Sequence, residues 1–375
     1  VKLALSMLCE NPRRKTGLTT LFHEFVRWSL RLYPDLQWVI FLGPDQEWPL
    51  QDPRVTLDRR FPANDRLGPR LLADHFRVPL AARRHGAQAL VTVGFTPALK
   101  TLPTAMHVLS LQHLDPGNRL GLAREWYRRW LTRFSWPRAD LLIVNSQFAA
   151  RQLLAVQPQH RPRLIQSYEG LQHDQFHPHA PPGEAERVSR EFQVPPGYLL
   201  WVSNFYPYKQ AELLIAAYAG LTPEFRQAHP LLMVGGDWEN QLAQAKEQAA
   251  RLGIAGNVRF ASWVADEWLA PLYRHALAFC LASREETFGR CVLESMACGT
   301  PCLVHDIPVM HEVTAGAAVV LDYRNTAAVT RAIQELAQNP GERDRLRQLG
   351  LARAAEFSFE RLARERIEAI RGLVS

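Results

Sequence analysis

The sequence predicts an α/β protein built from two doubly wound, Rossmann-like domains. Three observations carry that expectation. Apolar runs of four to eight residues alternate with helically periodic stretches along the chain, the pattern of parallel strands covered by helices on both faces. The length, 375 residues with 47% hydrophobic and 22% charged, exceeds what one typical core organises. The rhythm breaks at His177-Pro178-His179-Ala180-Pro181-Pro182-Gly183, Pro195-Pro196-Gly197 follows, and the pattern then restarts. The expected division is a first domain over 1–180, a second over 181–356, and a terminal helix over 357–375 packing back toward the first domain.

The elements follow in order. Val1 to Leu8 reads as a first strand rather than a signal peptide, because it lacks a small-residue cleavage site and charged residues follow it. Val39–Leu42, Ala89–Val93, His107–Ser110 and Leu141–Val144 are the clearest later strands of the first half. Beyond the break, Leu200–Val202, Leu231–Val234, Val258–Phe260, Ala278–Leu281, Pro301–Val304 and Ala318–Leu321 complete one doubly wound domain. Helical spacing with many Arg and Glu then runs from Thr326 to Glu356 and from Phe357 to Leu373. The longest apolar runs, such as Tyr198–Val202 and Ala276–Ala282, fall well short of the roughly 18 residues of a membrane span. The chain is therefore expected to be soluble, and its expected location is cytoplasmic, with a peripheral position at the cytoplasmic membrane face as the alternative.

Five cysteines without a C-x-x-C pattern, four of them between Cys280 and Cys302, are expected to be buried reduced thiols rather than disulfides or zinc ligands. No Asp-x-Asp or other ligand cluster points to a metal. Lys and Arg outnumber Asp and Glu by 44 to 37, a net charge of +7. That balance favours anionic partners such as nucleotide diphosphates, acidic lipids or nucleic acid, and does not choose among them.

The segment richest in chemistry is Ser283-Arg284-Glu285-Glu286-Thr287-Phe288-Gly289-Arg290-Cys291-Val292-Leu293-Glu294, followed by Cys298-Gly299-Thr300-Pro301. With a helix starting near Gly289, eight residues at about 1.5 Å each would separate Glu286 and Glu294 by about 12 Å along the axis, a span suited to a long polyhydroxylated ligand. The helix N-terminus would face an anionic diphosphate. Doubly wound sheets bind ligands outside the carboxyl ends of their strands, and two such domains would share a cleft. Two glutamates alone would more often form a solvated face; the flanking Phe288-Gly289 and Gly299-Thr300-Pro301 shift the reading to a site.

Read with its surroundings, this segment resembles the retaining glycosyltransferases of family four, or group 1, which have the GT-B fold of two facing Rossmann-like domains. The resemblance includes Trp201 to Lys209, Val234-Gly235-Gly236, Asn257-Val258-Arg259-Phe260, Gly299-Thr300-Pro301, and Pro308 to Val313 with Glu312. It extends to Ala139 to Ser146 and Glu169-Gly170-Leu171 in the first half. It implies transfer of a hexosyl unit from a UDP- or GDP-sugar to a saccharide or lipid-linked saccharide, with retention of configuration and with no metal or other cofactor. By that resemblance Glu294 holds the ribose hydroxyls. Glu286, with the backbone N–H groups of Phe288, Gly289 and Arg290, faces the donor sugar, and Lys209 neutralises the leaving diphosphate. His113 contacts the donor sugar or its surroundings; Asp115 is offset by one position and stays outside the catalytic set. Ser203, Asn204, Gly17, Gly235 and Val264 complete the expected donor-binding residues. The family usually has a basic residue five positions before the lysine, where this chain has Asn204. Either Asn204 donates a neutral hydrogen bond there or another cation supplies the missing charge, with Arg13, Arg14 and Lys15 in the loop after the first strand as the candidates.

Arg124 to Arg138 combines five arginines with five large aromatics, and Arg54 to Arg84 adds further arginines. Aromatics at helical spacing more often face a core, so the first segment is read as structural, with peripheral contact to an anionic membrane as its alternative. Nucleic acid is not an expected partner, since the arginines are not interleaved with a recognised binding motif. The competing functions are a nucleotide-sugar epimerase or hydrolase on the same fold, and a sugar-nucleotide binder without turnover.

Overall fold

The computed structural model describes residues 1–10, 17–62, 64–109, 111, 129–237 and 240–374. The chain forms two compact units, Val1–Gly170 with Ser358–Ser375, and Leu171–Phe357. The sequence reading places the division near residue 180, ahead of a Pro- and His-rich stretch. The boundary falls earlier because that stretch is bonded into the second unit. The His173 ring meets the Phe357 carbonyl at 2.8 Å, Gln175 Nε2 donates to the Asp266 carbonyl at 2.9 Å, and Arg274 Nη1 donates to the His177 carbonyl at 3.1 Å.

In the first unit, β1 (Lys2–Ser6), β2 (Gln37–Phe41), β3 (Val55–Asp58), β4 (Ala89–Val93), β5 (Thr104–Val108), β6 (Leu141–Val144) and β7 (Leu164–Gln166) pair in the order β3-β2-β1-β4-β5-β6-β7. Every pairing is parallel. The central strands are buried on both faces, which is why they read as unbroken apolar runs. β3 and β7, at the two edges, are short and only partly buried, so neither leaves such a run in the sequence.

The terminal helix Phe359–Arg371 belongs to this unit, where Phe359, Leu362, Ala363, Ile367 and Ile370 share a core with Leu3, Phe22, Phe25 and Ile143. Arg366, on the same helix face, is fully buried. It donates to His107 Nδ1 on β5 at 3.2 Å, and to the Ser167 hydroxyl and carbonyl at 3.3 and 3.1 Å. Burial lowers its pKa to about 10. Burial, and then this guanidinium, hold His107 well below the usual imidazole range, so a neutral ring accepts at Nδ1.

Asp74 is a second buried charge of the first unit. It lies in a π-helical turn, Ala73–Arg77, that interrupts the helix running through 67–84, and such turns often mark functional positions. Its carboxylate accepts from the Ser6 hydroxyl at 2.7 Å, with Arg70 at 3.5 Å. Burial raises the carboxyl from its ordinary 3.8 to about 6. Between those values the folded protein holds a proton that the unfolded chain has released. Asp74 therefore contributes stability at low pH that is lost as pH rises through about 6. The gap corresponds to on the order of 3 kcal/mol. Melting temperatures measured from pH 4.5 to 7.5 should show Asp74→Asn gaining on the wild type as pH rises; a constant difference would contradict this.

The second unit holds β8 (Tyr198–Val202), β9 (Leu231–Val234), β10 (Val258–Ala261), β11 (Ala276–Leu281), β12 (Cys302–His305) and β13 (Val319–Leu321), ordered β10-β9-β8-β11-β12-β13 and again all parallel. The strand order reverses between β8 and β11. Leu199, Trp201, Leu214, Ile215, Met233, Cys280, Leu303 and Ile333 lie in the core on one side of this sheet. All five cysteines are free thiols; Cys280, Cys298 and Cys302 are buried, and burial pushes each of these three to about 12.

Candidate active site

The reversal of strand order sets the site. β8 and β11 are parallel neighbours, so the loops leaving their carboxyl ends emerge side by side. The β8 loop carries Ser203 to Tyr206, then one 3₁₀ turn, Pro207–Lys209, and Gln210 at φ 49° before the helix Ala211–Ala219. The β11 loop carries Ser283 to Phe288 and then Gly289, which caps the helix Arg290–Ala297. The Arg284 N–H donates to the Tyr208 carbonyl at 2.9 Å, tying the two loops together.

Lys209 and Glu286 meet across this junction, Nζ to Oε1 at 2.5 Å, with side chains only 11% and 12% exposed. Nζ also lies 5.1 Å from the centroid of the Tyr208 ring. Burial acts to lower the lysine pKa; the Glu286 carboxylate, together with the neighbouring Tyr208 and Cys291, offsets it, and Lys209 is held above its ordinary value. The ammonium thus stays charged in a site of low polarity, where its field is strong. The neighbouring Cys291 thiol is pushed up by burial and then by Glu286, which keeps it neutral.

Gly289 makes the loop-to-helix turn at φ 93°, and a Cβ there would meet Met310 Cε at 2.5 Å. The cap supplies no side-chain hydrogen bond, so the helix end depends on other acceptors. Phe288 anchors the turn from below, buried and edge-on to Phe357 at 5.8 Å. Farther along the helix, Glu294 is buried and held by Arg290 Nε at 3.0 Å and by the Tyr273 hydroxyl at 3.2 Å. Burial, followed by the Glu294 charge, pushes the Tyr273 phenol well above its ordinary range, so it remains a donor. Gly299 ends the helix at φ 78°, and Thr300 Oγ1 donates back to the Tyr273 carbonyl at 2.6 Å.

Beside this, the β9 loop approaches the β8 loop closely. A Cβ on Gly235 would lie 1.6 Å from the Ser203 carbonyl oxygen. The Gly236 N–H donates to Asn204 Oδ1 at 3.1 Å, and the Phe205 N–H to the Gly236 carbonyl at 2.9 Å. Asn204, exposed at the loop surface, thus uses its acceptor to hold the glycine pair. Trp263, half-exposed, and Val264 follow β10.

These contacts place Lys209, Glu286, Phe288, Gly289, Arg290 and Glu294 on two adjoining loops and one helix, with Ser203, Asn204 and Gly235 on the flank. The 12 Å axial separation expected for the two glutamates does not apply. The helix begins at Arg290, so only the four steps to Glu294, about 6 Å, are helical, and Glu286 stands in the loop. His113, Asp115, Arg13, Arg14 and Lys15 lie outside the described residues, and Gly17 opens the helix Gly17–Leu32 of the first unit. Of the basic aromatic segment only 129–138 is described; Trp136 is buried, whereas Trp130 and Phe134 are exposed. Among the described residues no group of three or more His, Cys, Asp or Glu is arranged to hold a metal.

Sequence reasoning missed two partners of Glu294. The i,i+4 spacing of Arg290 and Glu294 was a usable signal for their ion pair. Tyr273 left none, because it lies on a separate helix, Asp266–Arg274.

Residues 183–352, nearly the whole second unit, match the family model described as glycosyl transferases group 1. That match covers a little under half of the chain, and over it the second unit is similar to the glycosyl transferases group 1. Among curated relatives, the chain is 29% identical over 238 residues to O-antigen chain mannosyltransferase B of Escherichia coli, covering 63% of this chain and 61% of that protein. It is 31% identical over 242 residues to D-inositol 3-phosphate glycosyltransferase of Nocardia farcinica, covering 62% and 52%. The match thus spans between half and two thirds of either relative's length. Among solved structures, sucrose-phosphate synthase from Thermosynechococcus elongatus superposes with a TM-score of 0.81 at 18% identity, covering 99% of this chain and 98% of that one. The Anabaena protein HepE, solved in complex with UDP-glucose, does so with a TM-score of 0.77 at 16% identity, covering 99% and 100%. These likenesses show the fold, GT-B, with two Rossmann-like domains.

Proposed function

We propose that the protein is a retaining glycosyltransferase moving a hexosyl unit from a nucleoside-diphosphate sugar to a hydroxyl of a glycan or glycolipid acceptor. The observation that carries this reading is the buried Lys209–Glu286 pair at the β8/β11 junction, beside a helix N-terminus whose body carries a fixed Glu294. Glu294, an ionised carboxylate oriented by Arg290 and Tyr273, is suited to accept from two ribose hydroxyls. The helix N-terminus favours the diphosphate. A diphosphate that takes Lys209 competes with Glu286 for the ammonium and turns that carboxylate toward the sugar hydroxyls. Lys209 then stabilises the charge that builds on the departing phosphate.

In this mechanism the acceptor oxygen attacks the anomeric carbon from the face the diphosphate leaves, and its proton passes to a phosphate oxygen of the leaving group. Retention follows without a second carboxylate as nucleophile. The relatives named for mannosyl and inositol-phosphate glycosyl transfer, and the fold-mate holding UDP-glucose, support the donor class.

A panel of UDP-, GDP- and other sugar nucleotides tested by thermal shift checks the reading. At a hundred times its dissociation constant a cognate donor should stabilise by about 2.7 kcal/mol, with Glu294→Ala abolishing the shift. Turnover should survive EDTA. If no sugar nucleotide raised the melting temperature, the proposal would fail.

A further inference from the structure

We propose that the exposed face of the helix through 67–84 docks the first unit onto an anionic lipid surface. This rests on surface chemistry and stands apart from the reading of the second unit as a transferase. The helix has two faces of unequal character. Inward, Ala73, Val78, Ala81 and Ala82 pack with Ala4, Leu8, Val39, Phe41 and Leu90. Outward, where a helix of a water-soluble domain normally carries polar residues, stand Leu67, Leu72, Phe76 and Leu80, with 59%, 63%, 47% and 41% of their surface exposed. The spacing of four between 72, 76 and 80 keeps the last three on one side.

Charge follows the same division. Asp74, the one acid of the helix, points inward, 1% exposed, whereas Arg66, Arg77, Arg83 and Arg84 are exposed around the apolar stripe. The apolar patch also extends beyond the helix. The Leu99 N–H bonds the His75 carbonyl at 3.0 Å, bringing another exposed leucine alongside. Arg138 Nη2 donates to the Ala98 carbonyl at 2.8 Å, which sets the segment bearing exposed Trp130 and Phe134 beside that loop. Large apolar side chains ringed by arginines are the composition of a surface that lies in a headgroup layer, with the apolar residues below and the guanidinium groups at the phosphates. A nucleic acid would satisfy the arginines but leave the leucines in water. Among the described residues no helix is long and apolar enough to cross a membrane, so the contact is peripheral.

Flotation of the full chain with phosphatidylcholine vesicles, with and without phosphatidylglycerol, tests the proposal. The protein should float only with the anionic vesicles and be released by high salt. The variants Leu72→Ser/Phe76→Ser/Leu80→Ser and Arg66→Gln/Arg83→Gln/Arg84→Gln should each lose at least about tenfold in partitioning, with melting temperatures near the wild type. Arg77 is left in place because it stacks on Phe61. Should the apolar variant melt early, the arginine variant still decides. Equal flotation with neutral vesicles, or undiminished flotation of both variants, overturns the proposal. So does an apolar variant that merely converts a dimer to a monomer, which would assign the face to a second copy of the chain.

Discussion

Lys209→Ala and Glu286→Ala are each expected to lower turnover at least about tenfold, equivalent to about 1.4 kcal/mol of transition-state stabilisation. The geometry also requires a control. The two charges are nearly buried and 2.5 Å apart, and removing one partner of such a pair leaves the other uncompensated, a destabilisation of about 3–5 kcal/mol where it has been measured. A loss of activity in either single variant therefore has to be separated from unfolding. The double variant provides the separation. With both charges gone the stability should largely recover, while activity should stay low because neither the cation for the leaving group nor the carboxylate for the sugar is present. Circular dichroism melts and donor-saturated rates on the three variants would complete the cycle. Wild-type turnover in either single variant would refute the assignment of this pair.

Gly235→Ala should produce the largest structural effect of any single methyl added near the site. At φ 156° the new Cβ would sit 1.6 Å from the Ser203 carbonyl oxygen and 2.5 Å from its carbon. These are backbone atoms at the end of β8, so no side chain can rotate away, and either the β8 loop or the β9 loop must move. The expected loss is about 3–5 kcal/mol, or roughly 10 °C in melting temperature for a unit of this size. The shift should also break the Gly236-to-Asn204 hydrogen bond and carry the β8 loop, with Lys209, out of register with Glu286. A variant that melts within about 2 °C of the wild type and binds donor normally would show that the loops do not need this close approach.

Much of the fold was legible because its signals are local. β9 was read at its observed ends, and β4 and β6 likewise, because each is a short, mainly apolar run bounded by polar or turn-forming residues. β3 and β7 were missed because their apolar residues are interrupted or cut short, by Thr56 and Asp58 in β3 and by Gln166 in β7, on strands that are only partly buried. The boundary near 180 was misplaced because proline and histidine mark a chain segment as irregular without saying what it is bonded to. Within the site, Gly289 and Gly299 were legible as punctuation, one opening and one closing the helix that bears Glu294. Asn204 was legible as a donor-binding position and as a missing cation; its bond to Gly236 gives it a further role in holding the loops.

The sequence by itself determined two α/β domains, the position of the helix after Gly289, and the residue types available for a hydroxylated, anionic ligand. These depend on periodicity and turn chemistry within a few residues. The tertiary structure alone decided which charges meet. Lys209 and Glu286 are 77 positions apart, and they touch because the sheet reverses its order between β8 and β11, placing two loops distant in sequence at adjacent strand ends. Tyr273 reaches Glu294 from a helix outside the motif, and Arg366 stays buried against His107 and Ser167 because the last helix returns to the first unit. Strand order is a property of the whole sheet, set by which buried faces pack together, and no local run of residues encodes it.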